Sequence, residues 1–228
     1  MKSSKLDIEI ESSTNNFIIE EKDISKMYLV FPFIRDGVSA TLIEKKQNDF
    51  FLHIYDEMAC SCVGSHIHMS RFYSPNLLTK TVKIIIPKNF IHNLKVNLEN
   101  GNLVLKNLHL QNANIFCVRG NIRVVDSNIV TTNMVGWESD ISISHLEGES
   151  CFALTKTGNL KLKKISPDVT TLKTNTGNIK VFSDYDGVNY TFFDIESKFI
   201  RNSVHPMKDV QKTIRCVAPY GHVDINVL

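Results

Sequence analysis

Four side chains in one short stretch have the chemistry of a metal site: Cys60, Cys62, His66 and His68, within Cys60-Ser61-Cys62-Val63-Gly64-Ser65-His66-Ile67-His68. Two thiolates and two imidazoles suit tetrahedral zinc. A three-residue loop at Val63 to Ser65 sets Cys62 opposite His66 and Cys60 opposite His68, with all four on one face. A two-residue loop at Val63-Gly64 puts the cysteines and histidines on opposite faces instead. The spacing is not that of a common zinc module. Zinc is therefore weighed against a plain polar hairpin, and no other cofactor is implied.

Elsewhere the candidate chemistry is that of a surface. Lys106, Arg123, Lys161, Lys163 and Lys180 recur at outward positions, and Trp137, the only tryptophan, is placed beside Val118 and Lys156. Such a basic stripe with an aromatic anchor could hold a protein or glycan partner. It equally fits a solvated face whose lysines discourage sheet-on-sheet association. No Ser-His-Asp or Cys-His-Asn order can be argued. Asp126, Glu138, Asp140, Glu147 and Glu149 do not form a column with two carboxyl groups at a glycosidase spacing. Phosphate loops, dinucleotide fingerprints, calcium loops and RNA-binding aromatic signatures are all missing.

The elements that must carry these residues announce themselves by a repeat. Gly101-Asn102-Leu103, Gly120-Asn121-Ile122, Ser139-Asp140-Ile141, Gly158-Asn159-Leu160 and Gly177-Asn178-Ile179 follow one another every 19 residues, and Gly221-His222-Val223 comes 44 residues later. Two and four residues after each first position stand aliphatic pairs, from Leu103/Leu105 to Val223/Ile225, with mostly polar residues between them. Seven, five and three residues before it stand small or apolar residues such as Ala113/Ile115/Cys117 and Cys151/Ala153/Thr155. Each copy is thus two strands with one face in and one face out. A coil of this kind leaves an edge and an apolar face that only the next coil can satisfy, which predicts a parallel β-solenoid of about 19-residue coils. The glycines are expected at positive φ in a corner, the neighbouring Asn and Asp side chains in a ladder, and Cys117, Cys151 and Cys216 in the packing.

Residues 1–81 lack the period but hold alternating or β-branched runs, such as Leu6/Ile8/Ile10 and Phe50 to Tyr55. They read as a strand-rich region that caps the solenoid or packs on it; the solenoid itself takes residues 82–228, with an insertion at about 183–213. The C-terminal coil has no obvious cap, so a second copy or the folded-back insertion would have to cover it.

The chain has 228 residues, 43% of them apolar, and 26 basic against 24 acidic side chains. A net charge of +2 argues for neither nucleic acid nor an anionic membrane as partner. No apolar leader or membrane-length stretch is present and the five cysteines are odd in number. These features make the cytoplasm the default location, with the cell surface in play only if a leader has been removed.

The lead-in Val82-Lys83-Ile84-Ile85-Ile86-Pro87, then Leu94-Lys95-Val96 and the Gly-Asn/Asp-Ile/Leu coils ending in Gly221-His222-Val223-Asp224-Ile225, resembles the bacterial putative-adhesin family, a domain of unknown function. The resemblance implies a β-solenoid without established enzymatic activity. Together these readings favour a non-enzymatic interaction or scaffold protein. The alternatives are a carbohydrate-active solenoid enzyme and a metal-binding protein using the Cys60 to His68 hairpin.

Overall fold

The computed structural model describes residues 5–13, 15–32, 39–46, 49–55, 61–63, 69–74, 81–183, 192–202 and 212–227. Among them the strands are β1 (Lys5–Ser12), β2 (Asn16–Lys22), β3 (Met27–Pro32), β4 (Ser39–Lys46), β5 (Asp49–Tyr55), β6 (Ser61–Val63), β7 (Met69–Ser74), β8 (Thr81–Pro87) and β9 (Ile91–Asn100). There follow β10 (Leu103–Lys106), β11 (His109–Glu147), β12 (Ser150–Thr157), β13 (Leu160–Ile165), β14 (Val169–Thr176), β15 (Ile179–Ser183), β16 (Phe192–Asn202) and β17 (Thr213–Val227). No helix occurs among the described residues, so none is long and apolar enough to cross a membrane.

The chain is all-β, and its strands stack mainly in parallel as a β-solenoid-like column. Leu103 of β10 pairs with Ile122 of β11, Ile141 with Leu160 of β13, Leu160 with Ile179 of β15, and Ile179 with Val223 of β17. The upstream strands pair likewise, Val96 with Ile115, Met134 with Ala153, Ala153 with Leu172 and Leu172 with Cys216. The alternating aliphatic residues point into one continuous core, which also takes Leu108, Ile129, Leu146 and the buried Cys117, Cys151 and Cys216. Burial pushes the Cys151 thiol up to about 12 and raises that of Cys117. These thiols are thus packing groups rather than nucleophiles.

The corner carries the expected ladder. Asn121 donates its main-chain N–H and its Nδ2 to Asn102 Oδ1 at 2.9 and 3.0 Å, Asn159 does the same to Asp140 Oδ1 at 2.7 and 3.2 Å, and Asn178 donates its N–H to Asn159 Oδ1 at 3.0 Å. Asp140 is a rung that accepts but cannot donate from its side chain.

The glycines serve a different purpose from the one expected. Among the repeat glycines only Gly120 has a positive φ, 139°. The left-handed residues sit six positions on, at the next corner: Asn107, Asp126, His145 and Lys164, with φ of 54°, 49°, 53° and 50°. What the glycine column needs is room. A Cβ at Gly177 would lie 1.9 Å from the carbonyl oxygen of Gly158, so a side chain would force the two backbones apart.

The N-terminal strands form a layer inside the column. β1 lies between β5 and β9, with Ile8 opposite both Leu52 and Leu94, and β2 lies between β8 and β10. Asn16 is a ladder rung: its Oδ1 accepts from the N–H of Asn102, 86 residues away, at 2.7 Å. At β5 and β8 the parallel order is interrupted, because β4 and β3 pair with them antiparallel, and β6 and β7 then pair in parallel with β4 and β3. At the opposite end β16, from the insertion, pairs in parallel with β17 from Phe192–Thr213 to Asn202–Ile225. The folded-back insertion therefore covers the last repeat coil.

Two substitutions test this packing. Gly177→Ala should lower unfolding stability by about 2 kcal/mol through backbone overpacking. Thr170, buried with a hydroxyl that lacks a hydrogen-bond partner, stands in a column with Leu94, Ala113 and Cys151. Thr170→Val should accordingly raise stability by about 1 kcal/mol. Urea unfolding monitored by circular dichroism reads both; an unchanged Gly177→Ala midpoint would contradict the close approach.

Candidate functional site

In each upstream strand the residues between the buried ones face outward, and in the middle of the column they are apolar. Phe116 pairs with Asn97 of β9, and Val135 pairs with Leu154 of β12. Phe116 and Val135 occupy adjacent layers, since Asn133 bonds Asn114 at 3.5 Å on one side of them and Arg119 bonds Glu138 at 3.1 Å on the other. The next outward column runs Val118, Trp137 and Lys156. Trp137 is 48% exposed and Phe116 37%, while Val118, Val135, Phe152 and Leu154 are half-buried beside them. The Lys156 ammonium sits 4.7 Å from the centre of the Trp137 ring, a cation–π contact that keeps one ring face occupied. An apolar surface spread over three layers is more than a soluble sheet needs on its wet side.

The basic stripe lies around the Gly-Asn corner from this patch. Arg123, Lys161 and Lys180 are exposed, whereas Lys106 and Lys163 are half-buried. Lys161 and Lys180 are register partners, and Ser142 and Ser144 interrupt the stripe one layer before them. Lys161 and Lys163 lean over the Phe182 ring, 5.9 and 5.5 Å from its centre. Trp137 and the lysines therefore belong to two faces. The outward columns could have disclosed the patch, because Phe116, Val135 and Leu154 share one repeat position.

A second candidate is a hollow of about 550 Å³ bordered by Glu20, Glu21, Lys22, Asp23, Lys88, Asn107, His109 and Asp126. Glu21 is buried, and its Oε2 accepts from both the main-chain N–H and the Nδ1 of His109 at 2.9 Å. The reason is topological. At the equivalent positions Asn128 and Ser166 donate their N–H to the main-chain carbonyls of Leu108 and Leu146, each at 2.8 Å. The chain leaves the column at Lys22, whose carbonyl turns to the amides of Ile24 at 2.9 Å and Lys88 at 3.2 Å. The Glu21 carboxylate replaces the missing acceptor. Burial raises its pKa above 4.5, opposed by His109 and by the backbone amides of His109 and Asn89. Asp126 is engaged by His145 Nδ1 at 2.9 Å. The described lining has no hydroxyl or thiol side chain for the Glu21–His109 pair to activate.

Cys60, His66 and His68, with the Cys62 side chain, lie outside the described residues; β6, which contains Cys62, pairs with β4. Among the described residues no group of three or more His, Cys, Asp or Glu side chains could hold a metal ion.

Because the folded-state pKa of Glu21 is raised, the folded protein holds its proton to higher pH than the unfolded chain. Its contribution to stability is therefore greatest at acid pH and declines as pH rises from about 4.5 through the raised value. In urea unfolding from pH 4 to 7, the stability of the wild type relative to Glu21→Gln should fall with rising pH. A relative gain would contradict the buried acid.

The family model described as Toastrack DUF4097 matches residues 4–193, spanning both the N-terminal strands and the repeat. Among solved structures, the crystal structure of a putative cell adhesion protein from Clostridium sporogenes is similar at 10% identity, covering 99% of this chain and 94% of that one with a TM-score of 0.41. No protein of curated function matches. The match over most of its length, with the glycine-asparagine coils seen in the fold, makes this chain a member of the Toastrack DUF4097 family of domains of unknown function.

Proposed function

We propose that this protein is a non-enzymatic interaction domain that docks a protein partner on the outward face of its upstream strands. The observation that carries the reading is the apolar patch of Phe116, Val135, Leu154 and Trp137 on a strand face that faces water. Each of its residues lies on a strand paired in register, so little backbone entropy remains to be lost on binding. Trp137 has the attributes of an anchor: a large, half-exposed ring with a cation on one face and apolar neighbours beside it. The lysines around the corner act as a solvated face that keeps sheets apart.

Catalysis is the weaker reading. A general acid on a polysaccharide-cleaving surface is kept protonated by apolar burial. The buried carboxylate found here, Glu21, is taken up by the chain's own amide and imidazole.

A photo-cross-linker tests the docking face. p-Benzoylphenylalanine in place of Leu154, in cells that make the protein, should trap a defined protein on irradiation, whereas the same residue at Lys180 should not. Trp137→Ala with Leu154→Ser should then weaken the purified complex by at least about tenfold, or about 1.4 kcal/mol. Trapping from Lys180 alone would move the contact to the basic stripe.

A further inference from the structure

Beside the patch the same face opens into a hollow of about 390 Å³. Its outward column runs Tyr55, Glu11, Asn97 and Phe116 through four successive layers, as the pairings Tyr55–Glu11, Glu11–Asn97 and Asn97–Phe116 establish. At a layer spacing of about 4.8 Å, the two aromatic residues stand about 14 Å apart. Two shorter side chains lie between them, so the column dips into a slot with an aromatic wall at each end. Two carboxylates, Glu11 and Glu99, line it.

Among the described residues no lysine or arginine forms an ion pair with Glu11 or Glu99, although the Lys95 ammonium acts on Glu11 through space. Lys95, on the adjoining β9, is held by Glu9 at 2.5 Å. Within ion-pair distance, among the described residues, Glu11 has His53 Nε2 at 3.8 Å, an ion pair when the imidazole is protonated. Toward the other end of the face the sign reverses, with Lys156 beside Trp137 and Lys173 paired to Leu154. The face is therefore acidic at one end, apolar in the middle and basic at the other.

We infer that this slot receives an arginine side chain from the protein partner docked on the patch, an inference that rests on the docking reading above. A guanidinium is planar and weakly hydrated: it can stack on the Tyr55 or Phe116 ring and present its fork to the Glu11 or Glu99 carboxylate. An ammonium matches the charge but not the plane. From the slot to Leu154 is about three layers, or about 14 Å, the reach of about four extended residues. The partner segment accordingly carries an arginine and, about four positions away, a bulky apolar residue over Val135 and Leu154.

The probe is the peptide acetyl-Gly-Arg-Ser-Gly-Ser-Leu-Gly-amide, titrated into isotope-labelled full-length protein and followed by amide chemical shifts. The expected result is shifts at Glu11, Asn97, Glu99 and Phe116, with affinity at least fivefold weaker for the citrulline peptide and for the Glu11→Gln/Glu99→Gln variant. Both glutamates are exposed, so the variant should keep the wild-type circular dichroism spectrum. Equal affinity for the arginine and citrulline peptides overturns the slot while leaving the docking face standing. Shifts at the slot with glucosamine but not with the peptide overturn a peptide ligand in favour of an amino sugar. Should the peptide fill the slot while Trp137→Ala/Leu154→Ser leaves partner capture intact, the docking reading fails and the cation slot remains.

Discussion

The approach of one layer's backbone to the next at the Gly-Asn corner is the constraint on which the rest of the structure depends. The Gly177 α-carbon comes so near the Gly158 carbonyl that a methyl group has no place between them. That nearness brings the side chain of the next residue within reach of the following layer's backbone, so that Asn178 donates its N–H to Asn159 Oδ1 at 3.0 Å. Register is fixed in turn, since a slip of one residue would move the amide off its rung and turn the aliphatic columns outward. The inward Leu, Ile and Val columns and the outward patch are thus consequences of one contact repeated.

The order of layers along the column is not the order of the sequence. β1 and β2 enter between strands that follow them by dozens of residues, and Asn16 bonds to Asn102 across 86 residues. Forming such a layer requires a long loop to close before any contact rewards it. The local cost appears at Lys22, where the chain exits and the His109 amide would be left without an acceptor. A buried glutamate solves that geometry at the expense of desolvating a carboxylate. The stacking changes differently toward the two ends: strand direction reverses at β3 and β4, which β7 and β6 join in parallel, and β16 is added beyond β17.

Much of this was readable from residue columns. The inward positions, the packing role of three cysteines and the ladder all follow from a fixed period and the alternation of a strand. Asn15-Asn16-Phe17-Ile18-Ile19 has no glycine and stands 86 residues, not 19, before the Asn102-Leu103 coil it pairs with, so no period marks it as a layer. A repeated glycine suggests positive φ, but the same residue type also serves where two backbones meet too closely for a Cβ. In the fold positive φ falls on Asn107, Asp126, His145 and Lys164, where the turn is imposed by the stack. The candidate face was legible only in part. Trp137 stood out as a single residue, but the outward columns were weighed for charge, and an apolar outward position resembles an ordinary strand residue until its neighbours in the adjacent layers are known.

The layer that carries Trp137 is also where the repeat departs from its own rule. Serine replaces glycine at position 139, and glycine replaces a larger inward residue at 136. The two changes compensate: a Cβ at Gly136 would meet the Ser139 Cβ at 2.8 Å, so one position gives up the space the other takes. Ser139 Oγ then donates to the Cys117 carbonyl at 3.1 Å, and Thr155 Oγ1 from the next layer donates to the Ser139 carbonyl at 2.8 Å. Packing alone gives no reason for the exchange, since the glycine pattern serves the neighbouring layers. Its effect is one added hydrogen bond, from Ser139 Oγ, beside the residue that faces water most openly in the patch; the Thr155 bond recurs in the glycine layer, where Thr174 Oγ1 donates to the Gly158 carbonyl at 2.9 Å. Thr155 and Thr157 add contacts to the Trp137 carbonyl at 3.5 and 3.4 Å. Local departures from a consistent pattern concentrate where function requires them, and here the departure surrounds Trp137, the anchor of the proposed docking face.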